Sequence, residues 1–318
     1  MIRFGTDPEY LIVDNKNQPV PAHLFFPGSK DAKWYCPIKG RGLGSLFRDG
    51  YALELNVPPS NCRSVLTDNV RFMLSKAKKF LPRGYRLVPA PAWPIRLSSL
   101  RGAPSDVQQF GCDPAFDAYT GEERRIELDG ERHPYRYAGG HLHFSVDPVP
   151  TWMKNFGSVR MFVKYLDLYV GLPLTHLYHD PPTFLRRRFY GRAGEFRLQN
   201  YPDHSAGVEY RVPDPRVWNH QAVAMMALGI GRDLLRQFRQ RVPLRLPVSE
   251  VALQRAINEG DNIAQLLRTR RGWYSRQVLN RAAADPRFQI FKPVRPVPAG
   301  TECDFAGWSE WLNDTLVP

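Results

Sequence analysis

The sequence predicts an α+β protein in which short strands with paired polar side chains are backed by amphipathic helices. Four short β-prone stretches place polar groups two residues apart, and side chains at i and i+2 lie on one face of a strand. Three longer stretches repeat apolar residues every three to four positions, which is the period of a helix. The 318 residues, 43% of them hydrophobic, can bury a sizeable core in one large domain or in a domain with an appendage.

Charge and cysteine content narrow the class of protein. The formal net charge is +13 and the isoelectric point is near 9.7, which favours anionic partners such as nucleotides, acidic peptides or nucleic acid. The four cysteines are far apart and form no C-x-x-C pair, so we expect reduced thiols in a cytoplasmic protein. There is no signal-peptide pattern at the N-terminus and no apolar run near the roughly 18 residues that a membrane helix needs. No membrane partner is therefore expected.

The first strands bring two carboxylates together. Residues 2–4 and 10–13 are β-prone and flank Asp7 and Glu9, which face one side if the chain stays extended. Neighbouring carboxylates repel each other unless a cation lies beside them, so the pair predicts a metal site. The alternative is an Asp-Pro turn with a solvated glutamate.

The next stretch, residues 27–50, is rich in glycine, lysine and arginine. It lacks the Gly-Lys-Ser/Thr ending of a P-loop, but its backbone amides and Lys30 could cradle a phosphate. The alternative is a mobile surface loop. Residues 51–57 then predict a strand that ends at two prolines, with Glu54 and Asn56 on the face opposite the core.

Helical periodicity predicts the layer behind these strands. Three amphipathic helices are expected, over residues 64–81, 156–178 and 218–241. The second of them should kink or end at Pro173. Residues 248–271 predict a further helix pair or a single helix, and residues 308–312 a short docking helix.

A glycine-rich stretch carries two histidines. Gly139 and Gly140 precede His141 and His143, which share a face if this segment is a strand, and the glycines let a backbone or a ligand approach closely. A lone histidine is more often a hydrogen-bonded core residue. A His-x-His pair facing acids from elsewhere favours contact with a metal or a nucleotide.

Arginines and one glutamate form the last group of candidates. Residues 186–197 contain five arginines, and such runs are usually solvated. The aromatic residues between them favour packing instead. Arginine also suits bidentate recognition of phosphate or carboxylate. In residues 207–215, Glu209 and Arg211 share one face of a β-prone run. They are either a structural ion pair or separate groups, the acid toward metal and the guanidinium toward phosphate.

These segments resemble the glutamine synthetase-like ligases. Residues 4–14 look like the strand with acid-x-acid metal ligands in that superfamily, and residues 139–145 are similar to its glycine-rich His-x-His strand. Arg192 and Arg197 have the spacing of its phosphate-binding arginines, and residues 208–215 look like its Glu-x-Arg-x-Pro-Asp-Pro strand. The order along the chain is also the same. Most closely, residues 5–214 resemble the phage-encoded carboxylate–amine ligases, whereas residues past about 245 resemble nothing familiar.

The resemblance implies a fold and a set of roles. It implies a curved, mainly antiparallel sheet like the glutamine synthetase catalytic domain, with helices packed on one face, over residues 1–244. The helical pattern of the remaining residues predicts a helical extension over residues 245–318 packed on this domain. The expected metal ligands are Asp7, Glu9, Glu54, His141 and Glu209, with Asp7 one methylene shorter than the usual glutamate and ligating through water. It also implies that Arg192, Arg197 and Arg211 are catalytic residues that contact phosphate or the substrate carboxylate, and that His141 contacts metal or nucleotide. The residue pattern itself adds His143 and Lys30 to His141, Arg192 and Arg211 as expected nucleotide contacts, and Asp49 as a candidate base.

The sequence therefore predicts an ATP-dependent ligase that uses Mg²⁺ or Mn²⁺ and joins a carboxylate to an amine through an acyl phosphate. The product would be an amide or isopeptide bond, made from small-molecule or peptide substrates in a bacterial host cytoplasm. Nucleic acid is an open substrate class, but no sequence-specific binding is predicted. Two alternatives remain: a phosphotransferase acting on a guanidine or carboxylate with the same metals, and a non-enzymatic nucleic-acid-binding protein.

Overall fold

The computed structural model describes residues 1–110, 114–200 and 206–268, in a mixed α/β arrangement. Its strands are β1 (Ile2–Gly5), β2 (Glu9–Val13), β3 (Pro19–Val20), β4 (Trp34–Ile38), β5 (Gly42–Asp49), β6 (Ala52–Asn56), β7 (Arg86–Val88), β8 (Ala92–Pro94), β9 (Ala115–Asp117), β10 (Glu123–Arg124), β11 (Tyr135–Tyr137), β12 (Leu142–Val146), β13 (Glu195–Asn200) and β14 (Ala206–Tyr210). Its α-helices are α1 (Arg63–Phe80), α2 (Ser105–Gln108), α3 (Phe156–Leu166), α4 (Leu172–Leu177), α5 (Pro181–Arg187), α6 (Gln221–Gln240), α7 (Glu250–Glu259) and α8 (Ile263–Leu267).

The strands form two larger sheets and one small one, and all the pairings among described strands are antiparallel. The first sheet has the order β1-β12-β14-β13-β9-β10, and the second has the order β3-β2-β6-β5-β4 with β7 also on β2. Strands β8 and β11 pair separately. The mixed α/β class and antiparallel pairing agree with the sequence. The expectation that the polar strands share one sheet is wrong, because the chain passes from the first sheet to the second between β1 and β2.

The predicted helices are present with small shifts in their ends. Helix α6 contacts both α1 and α3, and all three bury their apolar stripes in the main core. The expected single helix over residues 156–178 is α3 and α4 joined by a π-helical turn, Asp167–Gly171. Pro173 does not end the helix, because it lies in the first turn of α4, where a missing N–H matters little.

Residues 250–267, which include α7 and α8, pack on the same core. Leu253 and Ile257 of α7 and Leu267 of α8 are fully buried in the main cluster. Gly260, with a φ of 81°, separates the two helices, so the helix pair is the correct alternative. The predicted docking helix over residues 308–312 lies outside the described residues.

The glycine-rich stretch from residue 27 is mostly a hairpin. Strands β4 and β5 pair in it, with Leu46 and Phe47 buried, so the expectation of a surface loop or phosphate cradle is wrong for residues 34–49. A Cβ on Gly44 would lie 2.7 Å from the sulfur of Met73, which shows that this glycine allows α1 to pack against the hairpin. Lys30 lies in the exposed turn before the hairpin.

The sequence predicted reduced cysteines and no membrane helix. Cys36 is a buried free thiol, whereas Cys62 is disulfide-bonded. The expectation of reduced cysteines is therefore wrong at Cys62, because residues far apart in sequence can meet in the fold. No helix within the described residues combines the length and the apolar character that crossing a membrane requires.

A buried carboxyl group starts the π-helical turn. Asp167 accepts hydrogen bonds from the hydroxyls of Tyr210 at 2.7 Å and Tyr119 at 2.8 Å. Burial raises the pKa of Asp167 to about 7, and the nearby Asp117 raises it further, against the hydrogen bonds from the two tyrosines and the Gly194 amide. The folded protein therefore retains a proton on Asp167 that the unfolded chain releases at lower pH.

Asp167→Asn should remove this pH dependence. Between about pH 4 and pH 7 the unfolded state binds fewer protons than the folded state, so stability falls as pH rises through this window and levels off above it. We expect the wild type to lose about 3 kcal/mol relative to Asp167→Asn between pH 5 and pH 8. Urea unfolding at both pH values measures the difference. Asp233→Asn, at an exposed side chain, is the control, and equal pH slopes for all three proteins would contradict the expectation.

Candidate functional site

The candidate site lies where the two larger sheets meet. Gly5 of β1 is paired with His143 of β12, and His143 is paired with Glu209 of β14. The link that follows β1 is fastened to the start of β12, because the Thr6 hydroxyl donates to the His141 carbonyl at 2.7 Å. This bond places Asp7 over the two histidines.

Four side chains form what we call the histidine cluster: Asp7, His141, His143 and Glu209. Asp7 Oδ1 lies 2.9 Å from His141 Nδ1 and 3.1 Å from His143 Nε2, and His141 Nδ1 lies 3.4 Å from Glu209 Oε1. One potential ligand atom from each of the four residues lies within 4.8 Å of the others. The prediction that His141 and His143 face the same acids is correct.

Opposite charges in and beside the histidine cluster stabilise the ionised forms of its side chains. Burial opposes ionisation of Asp7, but His143 and His141 outweigh it and hold the pKa of Asp7 well below its ordinary value. Burial also disfavours the charged form of His143, yet Asp7 raises its pKa. For Glu209, Arg211 overcomes the effect of burial and lowers the pKa to about 2. Both carboxylates are therefore anionic at neutral pH.

Three further carboxyl groups form a second group, the acid cluster: Glu9, Asp49 and Glu54. Pairing of β2 with β6 places Glu9 opposite Glu54, and Asp49 ends the neighbouring strand β5. Burial, then the charges of Asp7, Asp49 and Glu9, raise the pKa of Glu54 well above its ordinary value. Burial and Glu9 raise the pKa of Asp49 to about 6, although Lys30 opposes the shift. Crowded carboxyls of this kind suit a hard cation such as Mg²⁺ or Mn²⁺.

Tyr190 connects the two clusters. Its hydroxyl donates to Glu9 Oε1 at 2.8 Å and lies 2.5 Å from His141 Nε2. The ring is buried beneath the guanidinium groups of Arg186, at 4.4 Å, and Arg211, at 5.0 Å. The sequence indicated only that this aromatic packs. Its position within the arginine run was the available signal, and that signal does not distinguish a tyrosine that connects two clusters from one in the core.

The two glycines before His141 make room for this arrangement. The Gly139 amide donates to Glu9 Oε2 at 2.6 Å, and a Cβ on Gly139 would lie 2.2 Å from His141 Nε2 and 2.6 Å from the Tyr190 hydroxyl. A Cβ on Gly140 would lie 2.2 Å from the Asp214 carbonyl oxygen. The predicted close approach at these glycines is therefore correct.

Glu209 and Arg211 form an ion pair, as the first of the two alternatives predicts. Alternate strand residues are only about 7 Å apart on one face, within reach of a guanidinium. The ion pair is not isolated, however. Glu209 also lies 3.4 Å from His141, 3.5 Å from Arg197 Nη1 and 2.6 Å from Gln199 Nε2. Arg211 Nε in turn donates to Glu195 Oε1 at 3.1 Å, and neither Gln199 nor Glu195 was among the predicted site residues.

A cavity of about 400 Å³ opens beside the histidine cluster. Arg192 and Arg211 both line it, together with Glu195 and the segment after β10. Arg197 lies next to Glu209 instead, and its Nε donates to the Pro114 carbonyl at 3.2 Å. Lys30 is exposed and lies at the edge of the site, where its charge acts on Asp49.

Carboxylates, imidazoles and guanidinium groups that lie together beside a cavity are chemically suited to bind a metal ion and an anionic ligand. Residues 122–281, half of the chain, match the model of the family described as phage phiEco32-like COOH.NH2 ligase-type 2. The chain belongs to this family, whose description is that of a carboxylate–amine ligase. The predicted kinship is confirmed. Asp7, Glu9 and Glu54 precede the matched residues, so their place in the site rests on geometry.

The chain was also compared with curated proteins and with solved structures. No curated protein matches the sequence. Among solved structures, the chain is similar to a bifunctional glutathione synthetase from Pasteurella multocida, with 13% identity and a TM-score of 0.42. The similarity covers 88% of this chain and 46% of that one, so the chain spans about half the length of that protein.

Proposed function

We propose that this protein is an ATP-dependent ligase that forms an amide or isopeptide bond through an acyl phosphate. Residues 1–244 would be a catalytic domain like that of glutamine synthetase, and residues 245–318 a helical extension packed on it. The observation that carries the proposal is the union of the histidine and acid clusters through Tyr190, beside Arg197 and Arg211. In enzymes that transfer phosphoryl groups, oxygen ligands commonly hold the metal ion and neighbouring arginines stabilise the charge on the phosphoryl group.

The donor set fits a metal-bound nucleotide. Glu54 is buried among three other carboxylates, and a cation beside them would relieve the repulsion that raises its pKa. The proposed metal ligands are Asp7, Glu9, Glu54, His141 and Glu209. When bound, ATP would supply the phosphoryl group that makes the substrate carboxylate an acyl phosphate, and attack by the amine would give the amide and release phosphate.

The remaining side chains have distinct proposed roles. Arg192, Arg197 and Arg211 stabilise the negative charge that develops during phosphoryl transfer, while His143 and Lys30 contact the nucleotide. Asp49 is the most exposed carboxylate of the acid cluster, so it is the one that can accept the proton lost by the attacking amine.

Metal removal tests the proposal directly. Purified protein with ATP, Mg²⁺ and pooled amines and carboxylates should release ADP and phosphate in equal amounts and form a product with the mass of an amide. EDTA should abolish turnover, and excess Mg²⁺ should restore it, because the carboxylates need a cation to hold the triphosphate. Circular dichroism before and after EDTA serves as the control for folding.

The products also separate the competing reactions. A stable phosphorylated product without an amide would indicate a phosphotransferase. Turnover that continues unchanged in EDTA would contradict the proposed metal site.

A further inference from the structure

The cavity beside the histidine cluster has a wall of mixed charge. Three of its arginines are neutralised by carboxylates, Arg124 by Asp117 at 2.7 Å, Arg125 by Glu123 at 3.3 Å and Arg211 by Glu195 at 3.1 Å. Arg188 and Arg192 also line the cavity, and neither forms an ion pair with any residue that the structure describes. The same is true of Glu127. The wall therefore presents two unmatched guanidinium groups and one unmatched carboxylate.

Arg192 is held in place on this wall with unused bonding capacity. Glu195 Oε2 accepts hydrogen bonds from the backbone amides of Gly191 at 2.8 Å and Arg192 at 3.2 Å. The Nε atom of Arg192 is buried and has no hydrogen-bond partner among the described residues. Buried donors without partners are rare in folded proteins, so an acceptor on a ligand would satisfy this one.

The rest of the wall is apolar and adjoins the reaction site. Phe189, Ile126 and Leu128 line the cavity together with the charged groups. Arg211 lines it as well and contacts Glu209 of the histidine cluster. A ligand in the cavity thus has an apolar surface along its length and the proposed metal ligands near one end.

We propose that this cavity binds a free α-amino acid with an apolar side chain as the carboxylate substrate, an assignment that rests on the proposed ligase function. Its carboxylate lies between Arg188 and Arg192, because guanidinium groups bind carboxylates through paired, charge-assisted hydrogen bonds. Its ammonium group lies at Glu127, and its side chain packs on Phe189. A nucleotide matches this wall less well, because its phosphates would meet the carboxylate of Glu127.

Calorimetric titration of the full-length protein without ATP tests this assignment. The probes are L-leucine, 4-methylpentanoate, which lacks the amino group, and L-leucinamide, which lacks the carboxylate. Wild-type protein should bind leucine more tightly than either analogue. Arg188→Gln should weaken leucine binding about threefold, because this guanidinium is exposed, and should remove the preference over leucinamide. Glu127→Gln should weaken it about threefold and remove the preference over 4-methylpentanoate, since this carboxylate is exposed.

Arg101→Gln is the matched control, because Arg101 is exposed and lies outside the cavity. It should leave all three affinities unchanged. The assignment is overturned if wild-type protein binds no leucine at millimolar concentration, or if Arg188→Gln weakens AMP binding and leaves leucine binding unaltered. The titration measures binding and needs no turnover. Leucine binding by a protein that performs no ligation would therefore reject the proposed function and leave the amino-acid site intact. Ligation without leucine binding would reject only the site.

Discussion

Glu209→Gln should reduce ligase turnover by at least about 100-fold and raise the Mg²⁺ concentration needed for half-maximal rate. Glutamine keeps the size of the side chain but removes the anion that faces His141, Arg197 and Arg211. Loss of groups that only support metal ligands already costs 10- to 100-fold in affinity or activity, so loss of a proposed ligand should cost more. Stability should fall by about 1–3 kcal/mol, because Arg211 loses a buried carboxylate partner.

The experiment compares ADP release and amide formation in Glu209→Gln with those in Glu250→Gln. Glu250 forms an ion pair with Lys164 at 2.7 Å on α3, and its side chain is 41% exposed. Its loss should leave turnover within about twofold of the wild type. Thermal melts of both variants establish that the tested protein is folded. Normal turnover by folded Glu209→Gln would show that this carboxylate is part of a structural ion pair only.

Strand periodicity was sufficient to predict much of the histidine cluster. His141 and His143 share a face, and Glu209 lies opposite His143 on the neighbouring strand. The same rule predicted that Glu54 faces away from the core side chains of β6, and this residue joins the acid cluster. Such predictions succeed because a period of two depends only on the backbone of a single strand.

Residues whose roles arise from contacts between distant segments could not be predicted in this way. Tyr190 meets Glu9 across 181 positions of sequence, and nothing local distinguishes it from the packing aromatics around it. Arg186 was expected to be solvated or packed, and its guanidinium bonds to the carbonyls of Val212 and Arg211 in the interior. Buried arginines of this kind need several acceptors supplied by one folded segment, which sequence periodicity does not reveal.

Local sequence patterns also could not predict that the strands form two larger sheets. Asp7 and Glu9 are two residues apart, but Asp7 follows a strand of one sheet and Glu9 begins a strand of the other. Asp7 therefore belongs to the histidine cluster and Glu9 to the acid cluster. The glycine content of residues 34–49 was equally misleading. Gly44 allows α1 to pack closely against the hairpin. Glycine-rich sequence suggests a loop when the helix that packs against it is not known.

Gly140→Ala should destabilise the protein by about 3 kcal/mol or more and lower the melting temperature by roughly 6–10 °C. The added Cβ would lie 2.2 Å from the carbonyl oxygen and 2.6 Å from the carbonyl carbon of Asp214. Both are backbone atoms, so no side-chain rotation can relieve the overlap. The Gly140 amide also donates to the Pro213 carbonyl at 3.0 Å, which holds the two segments together at this point.

Gly157→Ala is the matched control for this substitution. Gly157 is exposed in the first turn of α3, and the nearest atom to its added Cβ would be Asn155 Oδ1 at 3.3 Å. Alanine has a higher helix propensity than glycine by about 1 kcal/mol, so this variant should be neutral or slightly more stable. Differential scanning calorimetry of the two variants measures the contrast. If both glycines tolerate alanine equally, the close contact between residues 139–140 and 213–215 does not hold the site together.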